Sequence, residues 1–407
     1  MKILWLIPKW TLPAVDGARV ATERLVRNTV LAGAEIDILC LAQKHESSEV
    51  NIDLMMNEWN VKSIKVLYRP LPNSKLYKSL FYLKSLIFKP FTPITFSSFT
   101  DNRLRKSVSN YLIDKSYDFA VLDGLHLGAI FFNKGHFVKP KSISTIIYRA
   151  HNIEQDIWYK YVKEEKNILK KLLMYYQATL VSIWESKIIN ASDGIAPIAL
   201  EDFRDIQKIN KNSNLEFTPL GLNFDSPLAY NSNEKTQLLF IGRMDWAPNV
   251  EGLKWILDDV WPKVLENRDD LILNVVGSGD KSWLQSYKNV KNIVLHGFVP
   301  DIIDVYSLSD FTIAPITFGS GTRIKVIESY AFDRSIISTT MGVQGSGLVA
   351  SDYINADSTS DWIKILSTIK LSDSIEELTT RTRLKMSLMY SEKDVGYKFY
   401  TWLKTFL

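Results

Sequence analysis

The chain has one cysteine in 407 residues, Cys40. A single thiol excludes an internal disulfide and any multi-thiolate zinc site, and it fits a reducing compartment. Cys40 lies in the apolar run IDILCLA, where it reads as a small core residue. No stretch stays apolar long enough to cross a bilayer. The opening MKILWLIPKW has only a short apolar run before Pro8 and Lys9. That is too short for a signal peptide and reads as a buried first strand. The expected location is therefore the cytoplasm, with peripheral attachment to the inner face of the cytoplasmic membrane as the alternative. A formal net charge of +4 is small, which argues against a nucleic-acid partner. Phosphate signatures are missing too. There is no G-x-x-x-x-G-K-[ST], which excludes a P-loop, and the G-x-G-x-x-G candidates from Gly277 and Gly319 fail at the third glycine. No Asp-x-Asp occurs, so the usual signal for a metal-held nucleotide diphosphate is absent, and no metal site is expected.

One absence is local. From Trp59 to Thr100 there is no Asp or Glu, yet Lys62, Lys65, Arg69, Lys75, Lys78, Lys84 and Lys89 fall there. Aromatic residues are interleaved, among them Tyr77, Phe81, Tyr82, Phe88 and Phe91. Two readings stand side by side: a core helix with a solvated lysine face, or a surface for anionic lipid headgroups or a lipid-linked substrate.

What is present is a repeated alternation of apolar runs and amphipathic stretches. At this length two domains are expected. The runs KILWLI, EIDILCL, SIKVLY, DFAVLD, SISTIIYRA and GIAPI are continuous rather than alternating, as in parallel strands covered on both faces. A polar stretch, NFDSPLAYNSNEKT, reads as a linker. The alternation then restarts with QLLFIG, LILNVVG, NIVLHG, DFTIAP and SIISTT. The expectation is α/β: two doubly wound Rossmann-like domains over residues 1–220 and 235–390, with an inter-domain cleft. The tail 391–407 opens with a capping signal at Ser391 and places Val395, Phe399, Trp402 and Phe406 at helical spacing. It is expected to pack back on the N-terminal domain.

In open parallel sheets ligands bind beyond the carboxyl ends of the strands. Those positions hold DGAR (16–19), DGLH (123–126), RAHN (149–152), GRMDWAPN (242–249), GSGD (277–280), HGFV (296–299) and FGSGTR (318–323). The densest is GSGTRIKVIESYA, residues 319–331. Gly319 and Gly321 let the backbone approach a ligand and present N–H groups. A helix expected from about Thr322 to Phe332 adds its positive N-terminus, and Arg323 and Lys325 add full charges, a set that suits a phosphate or diphosphate. Glu328, two turns along, is placed to accept hydrogen bonds from a sugar diol of the same ligand. The plainer account of Glu328 is an i,i+3 pair with Lys325.

The segments FIGRMDWAPNVEGLKWIL, VVGSGD, HGFVPDIIDVYSLSDFTIAPI and GSGTRIKVIESYA, in that order, resemble the donor-binding half of glycosyltransferase family 4 (glycosyl transferases group 1). Those enzymes have the GT-B fold and retain anomeric configuration. The resemblance runs through most of residues 237–350 and extends more weakly to DGAR and RAHNIEQ. It implies catalytic roles for His151 and Arg243, with Arg243 at the leaving diphosphate and His151 reaching the transferred sugar; Lys325 is the third catalytic candidate. It implies a donor site of Gly17, Gly242, Gly277, His296, Phe298, Val299, Gly319, Ser320, Gly321, Thr322, Arg323 and Glu328. Within that site Glu328 binds the ribose, the backbone of 296–299 frames the base, and Gly17 touches the phosphate from the opposite domain. Without the resemblance, His151 reads as a satisfied histidine at a strand end.

Two positions depart from the family pattern. Many members carry Lys six residues after the Arg, where this chain has Asn249; Arg323 or Lys325 would have to supply that charge. The first Glu of the family's paired-Glu signature is replaced by Ser320, which excludes a carboxylate nucleophile there. The expected function is a metal-independent, retaining glycosyltransferase of hexosyltransferase type that needs no cofactor. It would move a sugar from a nucleotide-diphosphate sugar to a glycan or lipid-linked acceptor in cell-surface polysaccharide synthesis. The alternatives are a nucleotide-sugar epimerase of the same fold and a non-catalytic membrane or nucleic-acid binder.

Overall fold

Burial explains why the apolar runs are continuous. In β1 (Lys2–Ile7) five of six residues are buried, because helices cover both faces of the strand. The computed structural model describes residues 1–12, 17–44, 46, 51–133, 135–209, 214–230, 235–319 and 323–407. The chain divides into two units, Met1–Gly221 with Val395–Leu407, and Leu222–Asp394.

In the first unit β1 is joined by β2 (Glu35–Gln43), β3 (Ser63–Arg69) and β4 (Tyr117–Asp123). After a short antiparallel hairpin, β5 (Phe132–Asn133) with β6 (His136–Phe137), come β7 (Ile143–Ala150), β8 (Gly194–Pro197) and β9 (Asn214–Leu215). The main sheet has the order β3-β2-β1-β4-β7-β8-β9, and every pairing is parallel. Chain order reverses between β1 and β4, and a crevice at the carboxyl ends of strands forms at such a switch point.

The second unit repeats the plan with β10 (Thr236–Ile241), β11 (Leu271–Val276), β12 (Ile293–Gly297), β13 (Phe311–Ala314), β14 (Ser335–Ser338) and β15 (Ile354–Asn355). These are parallel in the order β12-β11-β10-β13-β14-β15. Its switch point lies between β10 and β13. The fold is thus α/β with two Rossmann-like units.

The last helix, Glu392–Lys404, buries Val395, Phe399 and Trp402 in the core of the first unit. The Phe399 ring meets Trp5 edge-on at 5.7 Å, and Trp402 donates to Asn214 Oδ1 at 2.8 Å. Burial of an aromatic ring such as Phe399 contributes roughly 1.5–3 kcal/mol, so this helix is part of the core.

The acid-free segment forms a helix, Lys75–Phe88, started by Ser74, whose hydroxyl accepts the N–H of Tyr77 at 3.3 Å. Ser85 is the one residue of this helix that is buried. Leu76, Tyr77, Leu80, Leu83, Ile87, Phe88 and then Phe91 are exposed. The segment leans on the long helix Ile168–Ala191. Tyr176 donates to Pro90 O at 2.6 Å, Trp184 donates to Phe91 O at 3.0 Å, and the N–H of Ile94 donates to Gln177 Oε1 at 2.9 Å. The start of that long helix is exposed as well, at Ile168, Leu169, Leu172, Leu173 and Tyr175. The reading of 75–88 as a core helix therefore does not describe it. Among the described residues no helix is long and apolar enough to cross a membrane.

Candidate functional site

In the second unit, glycine at the strand ends is a packing requirement. A Cβ on Gly277 would sit 1.7 Å from the carbonyl oxygen of Gly242. The ends of β10 and β11 therefore touch main chain to main chain, leaving backbone exposed where side chains would otherwise stand. Gly242 donates to Val276 O at 3.0 Å and Gly277 to Gly297 O at 2.8 Å, which ties the ends of β10, β11 and β12 together. Beyond β13, Gly319 has φ +117°, which favours glycine. Its α-carbon faces the Arg323 guanidinium, whose Nη2 lies 2.9 Å from the place a Cβ would take.

Arg243, just after β10, lays its guanidinium fork on Asp245, with Nε–Oδ1 at 3.0 Å and Nη2–Oδ2 at 2.7 Å. The pairing raises the pKa of Arg243 and lowers that of Asp245. The Arg243 side chain is 71% exposed, so this ion pair is solvent-screened and weak.

Asn249 occupies the position where the family pattern has Lys. It is buried in the helix Ala247–Trp255 and donates from Nδ2 to the carbonyl of Arg243 at 3.1 Å. Its Oδ1 accepts from Lys325 Nζ at 2.7 Å. Lys325 lies in the helix Ile324–Ala331, and its ammonium is 4.6 Å from the Phe240 ring centre. One amide thus links the loop after β10 to the helix after β13. Burial pushes the Lys325 ammonium down to about 7; neighbouring Arg323 lowers it further, while Glu328 opposes the shift. Buried Arg323 is the residue before this helix, 5.2 Å from the Trp246 ring centre. The helix begins at Ile324 rather than near Thr322, because Arg323 has extended backbone. Ser320, Gly321 and Thr322 lie outside the described residues.

Glu328 is half-buried one turn beyond Lys325. His296 is on the sheet's edge strand and shares a hydrogen bond of 2.8 Å with Asn274 Oδ1; partial burial lowers its pKa. Phe298, 68% exposed, stands beyond β12, and half-buried Val299 packs against Leu239, Val276, Val305 and Tyr306. Gly242, Arg243, Gly277, Gly319, Arg323 and Lys325 are thereby gathered at the carboxyl ends of β10, β11 and β13, with His296, Phe298 and Val299 at the β12 margin.

The first unit places His151 immediately after β7, bonded through Nε2 to Asp123 Oδ1. Asp123 ends β4, fully buried. It also accepts from Arg149 Nη1 at 3.0 Å and from Trp5 Nε1 at 3.0 Å. Burial alone would raise its carboxyl; Arg149 and then His151 hold it well below the usual carboxylate range. A second carboxylate fixes the segment after His151. Buried Glu185 accepts the N–H groups of Glu154 and Gln155, both at 2.9 Å, at the start of the helix Glu154–Glu164. Its burial pushes its own carboxyl up to about 7. Gly17 is the exposed first residue of the helix Gly17–Leu31.

Among the described residues of this unit two cavities stand out. One of about 180 Å³ opens at the carboxyl ends of β1, β4 and β7, with Asp123, His126, Tyr148 and His151 in its wall. The other, about 700 Å³, is lined by Leu112, Ile113 and Pro140 at the amino ends of β4 and β7, away from the switch point. Among the described residues no three His, Cys, Asp or Glu side chains are grouped to hold a metal ion.

Sequence reasoning gave no individual role to Asp123, Arg149 or Asn249. The Asp-Gly at the end of the run DFAVLD was a usable signal for Asp123, and the Arg of RAHN for Arg149. Asn249 stood out only as a missing lysine.

Residues 235–363 match the family model of the glycosyl transferases group 1. A protein of the cps region of Klebsiella pneumoniae, described as an uncharacterized 44.6 kDa protein, is 22% identical over 331 residues, which is 77% of this chain and 81% of that protein. A solved mutant of Staphylococcus aureus TarM, in complex with fondaparinux, alpha-GlcNAc-glycerol and UDP, superposes with a TM-score of 0.64. It is 9% identical, with 99% of each chain covered. The lipopolysaccharide outer core galactosyltransferase WaaB in its apo form gives a TM-score of 0.60 at 10% identity, with both chains covered in full. The fold is that of the GT-B glycosyltransferases.

Proposed function

We propose that this chain is a member of the glycosyl transferases group 1 and moves a sugar, with retention of anomeric configuration, from a nucleotide-diphosphate sugar to a glycan or lipid-linked acceptor. One observation carries the reading: Lys325, Asn249 and the main chain of Arg243 form a bonded line beside glycines that leave the backbone bare. Positive charge, amide dipoles and close backbone approach in one place suit a diphosphate.

The second unit takes the donor and the first takes the acceptor. The bond between the anomeric carbon and the diphosphate oxygen breaks, and its electron pair leaves with the diphosphate. The acceptor hydroxyl oxygen bonds to the anomeric carbon on the same face, and its proton passes to the departing diphosphate. Negative charge grows on the leaving group, so the cations at Arg243, Arg323 and Lys325 act mainly in the transition state. Exposed ion pairs are weak, and Arg243 exchanges Asp245 for the diphosphate. The ribose is held by Glu328 and the base by the backbone at His296–Val299, while His151 serves the first unit's own site. With Ser320 in the sequence, no carboxylate nucleophile comes from that position. These cations take the place a metal would hold, so activity is metal-independent.

The relative from a cps region and the likeness to a lipopolysaccharide outer core galactosyltransferase support a role in cell-surface polysaccharide synthesis. An acceptor built on lipid places the enzyme in the cytoplasm at the membrane. The apolar and basic face of Lys75–Phe88, continued by Phe91 and the start of Ile168–Ala191, is the contact surface.

The test is a thermal-shift screen of nucleotide sugars, followed by hydrolysis assays on those that stabilise the protein. A stabilising nucleotide sugar that is slowly hydrolysed in excess chelator is the expected result. Activity lost in chelator and restored by manganese or magnesium would overturn the metal-free mechanism, and no response to any nucleotide sugar would overturn the function.

A further inference from the structure

The larger cavity of the first unit has no part in the sugar transfer. It lies at the amino ends of β4 and β7, opposite to the switch point, and holds about 700 Å³. That is within the roughly 300–1,000 Å³ of pockets that take small ligands. One wall is the helix Asn102–Leu112, which lines the space with Arg105, Val108, Ser109 and Leu112. Their spacing of i, i+3, i+4 and i+7 makes a single helix face. The other wall is the chain at 130–133 and 138–142, the two limbs of the β5–β6 hairpin and their continuations. The space is therefore a groove that follows a helix of 11 residues, a span of roughly 16 Å.

Apolar and charged groups are separated within it. Val108, Leu112, Ile130, Phe131 and Phe132 form the floor, and all are buried. At the rim Ile113 and Val138 are 61% and 52% exposed, so apolar surface continues outward to solvent. The charges of the lining are Arg105, Lys115 and Lys141 against Asp114 alone. Arg105 donates from Nη2 to Ala129 O at 2.9 Å, and Lys115 Nζ lies 3.5 Å from the Tyr111 ring centre. Neither contact carries a formal negative charge, and Lys141 is exposed.

The groove also adjoins the acid-free segment. Lys89, next after the exposed helix Lys75–Phe88, donates from Nζ to Thr100 O at 3.0 Å. Thr100 precedes Asp101, whose carboxylate caps the groove helix. Burial and then the charge on Arg105 lower the pKa of Lys89, so the two cations feel one another. Positive potential thus runs from the exposed helix into the groove.

An apolar floor under a positive rim is complementary to a molecule with an apolar chain and one anionic head. We infer that this groove binds a single anionic amphiphile, its chain along Leu112, Ile130, Phe131 and Phe132 and its head at Lys115 and Lys141. A fatty carboxylate and a phosphate monoester share that chemistry. The inference does not rest on the sugar transfer proposed above.

Decanoate and decyl phosphate, each below its micelle concentration, are the probes, titrated against the full chain by ligand-observed NMR. Decanol and decyltrimethylammonium are the controls. At least one anion is expected to bind about tenfold more tightly than decanol, and the cationic chain more weakly than either. Which anion binds identifies the head. The double variant Lys115→Gln, Lys141→Gln should lose about tenfold in affinity for that anion. Ile113→Asp, which sets a carboxylate on the exposed rim, should lose at least as much. Melting temperature and nucleoside-diphosphate affinity should stay at wild-type values in the double variant; if Ile113→Asp melts lower, the double variant alone decides. Replacing Lys75, Lys78 and Lys84 by Gln should leave anion binding unchanged. The inference is overturned if neither anion binds, if the cationic chain binds as well, or if the double variant binds like wild type. It is also overturned if the Lys75, Lys78 and Lys84 variant loses binding, which would move the amphiphile to the exposed helix. Displacement of the amphiphile by millimolar inorganic phosphate would overturn it too, since the chain would then contribute nothing. Nucleotide-sugar hydrolysis is a separate readout: its absence removes the transfer reaction and leaves the groove.

Discussion

The two switch points treat charge in opposite ways. At the first unit's, the buried cation is neutralised in place: Arg149 is fully buried and spends its charge on Asp123. At the second unit's, Lys325 is held by a neutral amide, Asn249, and Arg243 is paired only with an exposed carboxylate. Burial with a balancing charge gives a stiff framework with no charge left over. A cation bonded to a neutral amide, and only partly offset by the half-buried Glu328, is suited to an incoming anion. Two sheets of like topology thus specialise through what faces each positive side chain, which also gives the comparison its points of attack.

The largest effect is expected away from both switch points, on the exposed face of the first unit. If its lysines meet anionic lipid, each contributes on the order of 1 kcal/mol near the surface, falling off within a Debye length. Replacing Lys75, Lys78 and Lys84 by Gln should then reduce binding to anionic vesicles by roughly a hundredfold. Binding should weaken with salt and be absent on neutral vesicles, with nucleotide binding by the second unit intact. Co-sedimentation decides this. Equal vesicle binding by the triple variant, or none by the wild type at low salt, would return these lysines to the role of a solvated edge.

Arg243→Ala tests the second unit directly. Because diphosphate charge grows as the bond breaks, turnover should fall roughly tenfold to a hundredfold, and donor affinity less. A variant with the wild-type melting temperature and normal turnover would show that Arg243 serves only Asp245.

Lys325 carries the sharpest prediction about the contrast, because its proton is movable. With its free-state pKa near 7, the side chain is half charged at neutral pH. A bound diphosphate favours the charged form, so binding takes up a proton. Nucleoside-diphosphate affinity should therefore be highest below pH 7 and decline as pH rises above it. Lys325→Met should lose about tenfold in affinity at pH 6 and flatten the profile. Calorimetry in buffers of different ionisation enthalpy reads the proton uptake; an unchanged profile in Lys325→Met would assign it to another group.

How much of this was legible in the sequence follows from the range of the interactions. The strands were readable because burial on both faces makes them continuous apolar runs, and β1 falls on KILWLI. Gly242 and Gly277 were readable as strand-end glycines, though the carbonyl contact that requires the second was not. The bond between Lys325 and Asn249 spans 76 positions, and Asp123 and Arg149 are 26 apart. No local pattern encodes either pair. Asn249 could be seen only as a departure from a family pattern, and it took the packing of two helices to show it as the support for Lys325. The Lys75–Phe88 helix was ambiguous because apolar residues fall around most of its circumference. A neighbour covering one side, not periodicity, decides which residues are buried.

The smallest effect is expected at Glu328. A ribose contact is present in ground and transition states alike, so Glu328→Gln should weaken nucleotide and donor binding together and leave kcat nearly unchanged. A hydrogen bond to a charged acceptor is stronger than one to its neutral isostere, and the expected loss is roughly three- to tenfold in affinity. Glu328 also raises the proton affinity of Lys325, so the same variant should move the Lys325-dependent pH profile to lower pH. Ribose binding and lysine support can therefore be separated. Deoxyribose nucleotides should lose their disadvantage in Glu328→Gln if the carboxylate reads the diol. If the variant shifts the pH profile but still prefers ribose as the wild type does, Glu328 acts only through Lys325, and the ribose is held elsewhere.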